Sequence, residues 1–246
     1  MNIKKLEIES DILKKNVYKL LDIENINEFK KEESSIIDEH KPYYIQCTVD
    51  AGDLKKIHQL EESGFRFVEF RYRKKLDMNR FHKVDELSFY PYYIKLISVE
   101  DEFEEARQLI NARKADDRFS RDPLIKKELS QNRLQAYLEK SFRRYPDELI
   151  YGLYNKYHPG LFAIRTGIMK NKYKILFGQI SLKENQDDEK AAYMIDTLII
   201  SELIKRDIQF FYTVTSGYNI FEMDVHISGL HYRIESTYAI LRKIYN

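Results

Sequence analysis

One cysteine, no tryptophan and a formal net charge of only +1 define what this 246-residue chain does without. A single thiol, Cys47, allows no internal disulfide and no cysteine-rich zinc site, and it agrees with a reducing compartment. Cys47 sits among strand-forming residues and reads as a buried apolar group rather than a nucleophile. The near-zero charge gives no broad field for nucleic acid or an acidic membrane. No apolar run approaches the ~20 residues needed to cross a bilayer, and the opening stretch MNIKKLEIESDILKKN lacks the apolar centre of a signal peptide. These absences point to a soluble, cytoplasmic protein with no nucleic-acid or membrane partner. G-x-S-x-G, Walker, G-x-G-x-x-G and H-E-x-x-H patterns are all missing. The histidines (His40, His58, His82, His158, His226, His231) form no i, i+4 ligand pair on a helix, so no metal is expected.

What the chain has is a sizeable apolar fraction, 43 %, beside 33 % charged residues. That is enough for a core under a well-solvated surface, and it excludes a disordered chain. Its 19 tyrosines and 14 phenylalanines fall largely in strand-like runs and read as structural.

A unit occurs twice. Tyr44–Leu76 and Gln209–Leu241 align without a gap at an offset of 165 (213 − 48), with Thr48-Val49 on Thr213-Val214, Gly52 on Gly217, Ser63-Gly64 on Ser228-Gly229 and Leu76 on Leu241. Each copy reads as strand, glycine turn, short helix, Ser-Gly stop and long strand. Gly64 suits the left-handed geometry that ends a helix. Aromatics on both faces of the strand Phe65–Leu76 suggest that both faces are covered. The interleaved bases Arg66, Arg71, Arg73, Lys74 and Lys75 superficially resemble an RNA-binding strand, and read equally as basic side chains snorkelling from an ordinary sheet.

Before the first copy, residues 1–40 are polar and helix-prone, with Ile12, Leu13, Val17, Leu20 and Leu21 on one helical face. Asp77–Pro91 reads as a linker. From Tyr92 the order is strand (Tyr92–Ser98), helix after a Ser98–Asp101 capping box, and a helix opened by Asp122-Pro123 and running to about Phe142. A three-strand meander follows at Leu149–Tyr154, Leu161–Met169 and Tyr173–Leu182, then a helix over Asp188–Lys205, then the second copy. This is an α+β order, divided into residues 1–90 and 91–246.

The order from Tyr92 to Lys243 resembles the GNAT acyltransferase fold. The repeated unit resembles the last third of such a domain, and the first copy resembles the truncated GNAT-like β-α-β domain of the dTDP-fucosamine acetyltransferase group. Asp117-Arg118-Phe119 and Glu235-Ser236-Thr237-Tyr238 resemble that group locally. The resemblance implies a mixed sheet flanked by helices, in which Tyr173–Leu182 and Gln209–Thr215 lie side by side and diverge into a V. It implies acyl-CoA, acetyl-CoA in particular, along the backbone of Ile180, Ser181 and Leu182. It also implies a pyrophosphate loop at the start of the next helix, where Gln186 and Ala191 match the family pattern, Glu189 replaces its central glycine, and Lys190 is the cation that offsets Asp187 and Asp188. The same run also reads as a solvated acidic turn capping a core helix.

The family's catalytic tyrosine position falls on His226 counted from Asn219, or on Val225 counted back from Gly229. Tyr218 and Tyr232 flank it as substitute acids. His226 also reads as a helix-end side chain, and Asn219 as a helix cap. Arg118, Arg121, Arg143 and Arg144 could meet an anionic substrate. The implied activity is transfer of an acyl group to a small amine, a nucleotide-linked amino sugar among the acceptors. The alternative is a GNAT-fold binding or assembly module that has lost catalysis. Strand edges of the truncated unit suggest pairing into a homodimer.

Overall fold

The computed structural model describes residues 2–21, 26–112, 118–183 and 188–245. Its elements run β1 (Ile3–Lys5), α1 (Glu7–Leu13), β2 (Val17–Leu20), α2 (Ile26–His40), β3 (Tyr44–Asp50), α3 (Leu54–Glu62), β4 (Arg66–Leu76), β5 (Tyr92–Leu96), α4 (Glu100–Ala112), α5 (Arg118–Arg121), α6 (Lys127–Arg143), β6 (Glu148–Asn155), β7 (Leu161–Asn171), β8 (Lys174–Leu182), α7 (Asp188–Lys205), β9 (Phe210–Ser216), α8 (Ile220–Asp224) and β10 (Tyr232–Ile244). A π-helical turn, Val225–Gly229, extends α8. The strands form one mixed sheet in the order β1-β2-β3-β10-β4-β9-β8-β7-β6-β5. The expected α+β class, a mixed sheet flanked by helices, is the fold observed. No helix among the described residues is long and apolar enough to cross a membrane.

The segments β3-α3-β4 and β9-α8-β10 are each strand, helix, strand, and each final strand pairs with strands of the other segment. β10 pairs with β3 and β4, and β4 pairs with β10 and β9. The β4–β10 register is reciprocal: Tyr232 lies opposite Leu76 and Leu241 opposite Phe67, so residues 165 apart in sequence trade places across the pairing. Local chemistry supports each unit. Asp53 caps α3 by accepting from the Lys56 N–H at 3.1 Å, a contact worth about 1 kcal/mol. Gly64 takes φ +88°, which L side chains rarely adopt.

Helices pack on both faces, over different strands. α7 packs on one face with Phe177, Ile195, Leu198, Ile199 and Phe211. α4 and α6 cover the other face over β6 and β7 through Phe103, Ile110, Leu138 and Ile164. A second core at the β3 end joins α2 and α3 to both units through Phe29, Cys47, Phe65 and Leu241. Cys47 is fully buried, and burial pushes its thiol up to about 12, as befits an inert core residue.

Three sequence expectations are corrected. The helical stripe in residues 1–40 breaks at Lys14, whose φ of 51° ends α1. Val17 and Leu20 enter a strand that β3 holds in parallel. A four-residue strand is too short to show a period, so tertiary pairing decided the segment. Asp122-Pro123 does not open the long helix, which starts at Lys127. The Asp122 carboxylate is instead engaged by Arg242 (2.8 and 2.9 Å) and by the Leu124 N–H. Phe67 and Phe70 are 42 % exposed, so β4 is not covered on both faces throughout.

Because β10 is shared by both halves, they should melt together. Leu241, fully buried between β3 and β4, should lose about 2–5 kcal/mol on replacement by alanine. Urea unfolding followed by circular dichroism should stay a single transition. Two separated transitions would show that the exchanged strands do not couple the halves.

Candidate functional site

β8 and β9 run parallel through Lys174↔Phe210, Ile175↔Phe211, Leu176↔Tyr212 and Phe177↔Thr213, and the pairing stops there. β8 stays on β7 as far as Leu182↔Ala163, while β9 stays on β4 as far as Ser216↔Arg71. The two strands therefore diverge, as the resemblance implied. The N–H of Lys183 bonds the Phe162 carbonyl at 2.8 Å. Antiparallel alternation then turns the backbone groups of Ser181 toward β7 and those of Ile180 and Leu182 toward the gap. On the far wall Gly217 bonds the Phe70 carbonyl at 2.8 Å, so by the same rule Val214 turns its backbone groups into the gap. α7 begins at Asp188, just past the end of β8.

The divergence coincides with a bulge, where Gly178 and Gln179 lie between the pairs Arg165↔Ile180 and Gly167↔Phe177. The Thr166 hydroxyl accepts from the Gln179 N–H at 2.7 Å. A Cβ on Gly178 would stand 2.6 Å from that hydroxyl, so the bulge needs glycine. The Arg165 guanidinium donates to the Gly178 carbonyl at 3.1 Å, close to where β9 is lost as a partner.

Arg165 is the hub of a buried ion network. It meets Glu222 at 2.9 Å and Asp196 at 3.0 Å. The Asp196 contact is an ion pair without an aligned hydrogen bond. Nε2 of His226 lies 2.9 Å from Asp196, and its Nδ1 lies 2.7 Å from Nζ of Lys74. The Lys74 ammonium has only protons to offer, so Nδ1 accepts and the neutral ring carries its proton on Nε2, donated to Asp196. Burial drives the His226 pKa down, against the pull of Asp196 and Glu222. Burial also opposes ionisation of Asp196, but Arg165 and the His226 hydrogen bond outweigh it and hold the carboxyl below its usual range. Lys74 is pushed down to about 8, by burial first, with Glu222 and Asp196 opposing and Arg165 adding to the fall. With His226 neutral, the guanidinium of Arg165 and the ammonium of Lys74 face the carboxyl groups of Asp196 and Glu222.

The expected site residues distribute as follows. His226 is no helix-end cap; it is fully buried within the network. Tyr232 packs its ring 4.9 Å from His226, and its hydroxyl has no partner among the described residues. Burial raises the pKa of that hydroxyl well above the usual range. Tyr218 donates to the Val68 carbonyl at 2.5 Å and lies under Arg121 at 4.6 Å. Asn219 caps α8 through the Glu222 N–H (3.3 Å) and donates to the Glu222 carboxylate (2.8 Å), which ties it to Arg165. Ala191 is buried and Lys190 exposed on the first turn of α7, while Gln186 and Asp187 lie outside the described residues. Of the arginines suggested for an anion, Arg143 pairs with Glu139, Arg144 with Glu148, and Arg121 lies over the Tyr218 ring, while the Arg118 side chain lies outside the described residues.

Sequence reasoning missed Arg165, Asp196, Glu222 and Lys74. Two carried a signal: Arg165 interrupts the run Leu161–Ile164, and Asp196 interrupts Met194–Ile200. A charge inside an apolar run is a buried, paired charge. Lys74 gave none, since it sits between Arg73 and Lys75 and read as snorkelling. The structure corrects that reading, because Lys74 is fully buried. A cavity of about 730 Å³ lies at the other end of β9, lined by Leu76, Ile204, Ile208, Phe210 and Ile234 among others.

No family model and no curated protein matches the chain. Solved structures do. A conserved protein of unknown function from Staphylococcus epidermidis superposes with a TM-score of 0.67 at 13 % identity, over 94 % of this chain and 85 % of that one. A tandem GNAT protein from the clavulanic acid biosynthesis pathway gives 0.60 at 10 % identity, over 93 % and 75 %. A GCN5-related N-acetyltransferase from Kribbella flavida gives 0.60 at 8 % identity, over 94 % and 82 %. The shared feature is the fold, and the chain has the GNAT fold.

The low pKa of Lys74 carries a pH signature. Between about pH 8 and its ordinary 10.5, the unfolded chain holds a proton that the folded chain has released. The penalty for burying the ammonium is thus complete below pH 8 and fades as pH rises. Relative to a Lys74→Met variant, wild-type stability should climb by up to about 1.4 kcal/mol per pH unit across that window. Parallel slopes in urea unfolding at pH 7.5 and 9.5 would refute a buried ammonium.

Proposed function

We propose that this chain is a GNAT-like N-acyltransferase that takes an acyl group from acyl-CoA and gives it to a small amine. The observation that carries this reading is the parting of β8 and β9 after Phe177 and Thr213. Ile180 and Leu182 present backbone groups along one wall, as an extended pantetheine arm requires. On the face toward α7 and α8, the buried hydroxyls of Thr213 and Thr215 have no partner among the described residues. Orphaned donors beside a gap in a sheet fit an amide-bearing ligand. The start of α7, the positive end of its helix dipole, suits the pyrophosphate. Glu189 stands where the family has glycine, and Lys190 supplies the offsetting charge.

Acyl-CoA brings an activated thioester, so no covalent enzyme intermediate is needed. The chain's residues orient, exclude water and manage one proton. Ile180 and Leu182 act through backbone N–H groups. Asn219, Glu222 and Arg165 brace α8 against the bulge. His226 is locked between Lys74 and Asp196, and Tyr218 is committed to Val68. Tyr232 alone among the three acid candidates keeps a hydroxyl with no partner among the described residues, and burial holds it protonated. It is therefore the proton donor in this reading, a role worth roughly 10²–10⁴ in rate.

We read residues 91–246 as the acyltransferase unit and 1–90 as a partial copy. The comparison between them supports a single acyl-CoA site. β2 keeps only Leu20 beyond its last pair with β3, at Lys19↔Gln46, whereas β8 continues five residues beyond Phe177 to Leu182. A nucleotide-linked amino sugar is among the acceptors this reading admits.

Calorimetric titration of CoA should give micromolar binding. Ile180→Pro removes a donor facing the gap while taking no bond from the β7 ladder, so affinity should fall at least tenfold with the circular dichroism spectrum unchanged. Failure of the wild type to bind CoA would overturn the proposal in favour of a module without catalysis.

A further inference from the structure

The outer face of the sheet just below the gap carries an unusual concentration of positive charge. Strand alternation places Lys74, Phe211, Thr213 and Phe177 toward α7 and α8. It places Arg73 and Lys75 of β4, Phe210, Tyr212 and Val214 of β9, and Lys174 of β8 on the opposite face. Phe210 and Val214 are 40 % and 38 % exposed, so this face meets solvent. Three cations crowd the Tyr212 ring: Lys174 at 4.3 Å from its centroid, Arg73 at 5.0 Å and Lys75 at 5.8 Å. Lys75 also stands 5.0 Å from the Phe210 ring.

Only one of the three has its charge answered. Arg73 meets Glu235 at 3.3 Å. Lys75 and Lys174 make no ion pair with a described carboxylate. A ring face attracts cations weakly at an exposed site and does not neutralise them. Two lysines without a described carboxylate partner, held around one ring beside a paired arginine, repel one another until an anion arrives. Glu69 and Glu235 border the patch on β4 and β10, which keeps it compact. With a net charge of +1 for the whole chain, the feature suits a small dianion better than an extended nucleic acid.

We propose that this face at Tyr212 is a phosphate site and, resting on the acyltransferase reading, that it anchors the phosphate of an amine acceptor. Tyr212 lies one residue before the last β8–β9 pair, and Val214 of the gap wall lies two residues along the same face, about 7 Å away. A phosphate held here leaves an amine of sugar-phosphate size at the opening. The phosphates of CoA are not the occupant. Their place at the start of α7 lies beyond Leu182, eight residues from Lys174 along β8, or roughly 26 Å.

The test is calorimetric titration of inorganic pyrophosphate and, separately, CoA into wild type and into the Lys75→Gln/Lys174→Gln double variant, whose changed side chains are half-exposed. Pyrophosphate affinity should fall at least tenfold in the variant, while CoA affinity should stay within twofold. Absence of pyrophosphate binding in wild type, or equal binding in both proteins, overturns the site. A matching loss of CoA affinity reassigns the lysines to CoA and overturns the acceptor role. Tighter, lysine-dependent binding of a single-stranded oligoribonucleotide overturns it in favour of nucleic acid. Lysine-dependent pyrophosphate binding without any CoA binding sustains the anion site and removes the acyltransferase reading.

Discussion

A β-strand inside a sheet must satisfy both edges, and β4 and β10 do so by bonding each other and the splayed strand of the opposite half. That reciprocal pairing is the constraint on which the remaining architecture rests. It joins the sheet into one piece, since β10 closes on β3 and β4 closes on β9. It also carries a lysine of the first unit into the site of the second. Lys74 lies opposite Thr213, the last residue of β9 to pair with β8, and its side chain enters the network below. Without the exchange, His226 would lack the cation that sets its tautomer.

The network itself is a balance of large opposing quantities. Moving Arg165, Lys74, Asp196 and Glu222 out of water costs several kcal/mol per ion, and mutual attraction repays this only when the geometry is close. The contacts of 2.7–3.0 Å that join Arg165, Asp196, Glu222, His226 and Lys74 meet that condition. Arg165 takes the Gly178 carbonyl at the bulge, and Glu222 ties α8 to Asn219. The charges thus hold β8, α7, α8 and β4 in fixed relation around a sheet that has been opened, where ladder hydrogen bonds no longer can.

The two faces of the opening differ in kind. Toward α7 and α8 it is buried, charge-balanced and bordered by hydroxyls with no partner among the described residues. On the other face it is exposed, aromatic and cationic. A sheet with a gap gives two chemical environments access to one point.

Much of the fold was legible in the chain because it rests on local rules. The Ser63-Gly64 stop and the span of α7 follow from short-range sterics and dipoles. The strands of residues 1–20 were not legible, because β3 rather than any local period holds them. Of the site, the parting of β8 and β9 and the Asn219 cap were anticipated, whereas its charged centre was not. Arg165, Lys74, Asp196, Glu222 and His226 come from four elements separated by up to 152 residues, and side chains so distant carry no mark of one another in sequence. The chain by itself determined most of its elements, since propensity and patterning act over a few residues. Tertiary structure alone decided which strands exchange, which charges meet and which face stays open, because those depend on pairing edges that only the assembled sheet brings together.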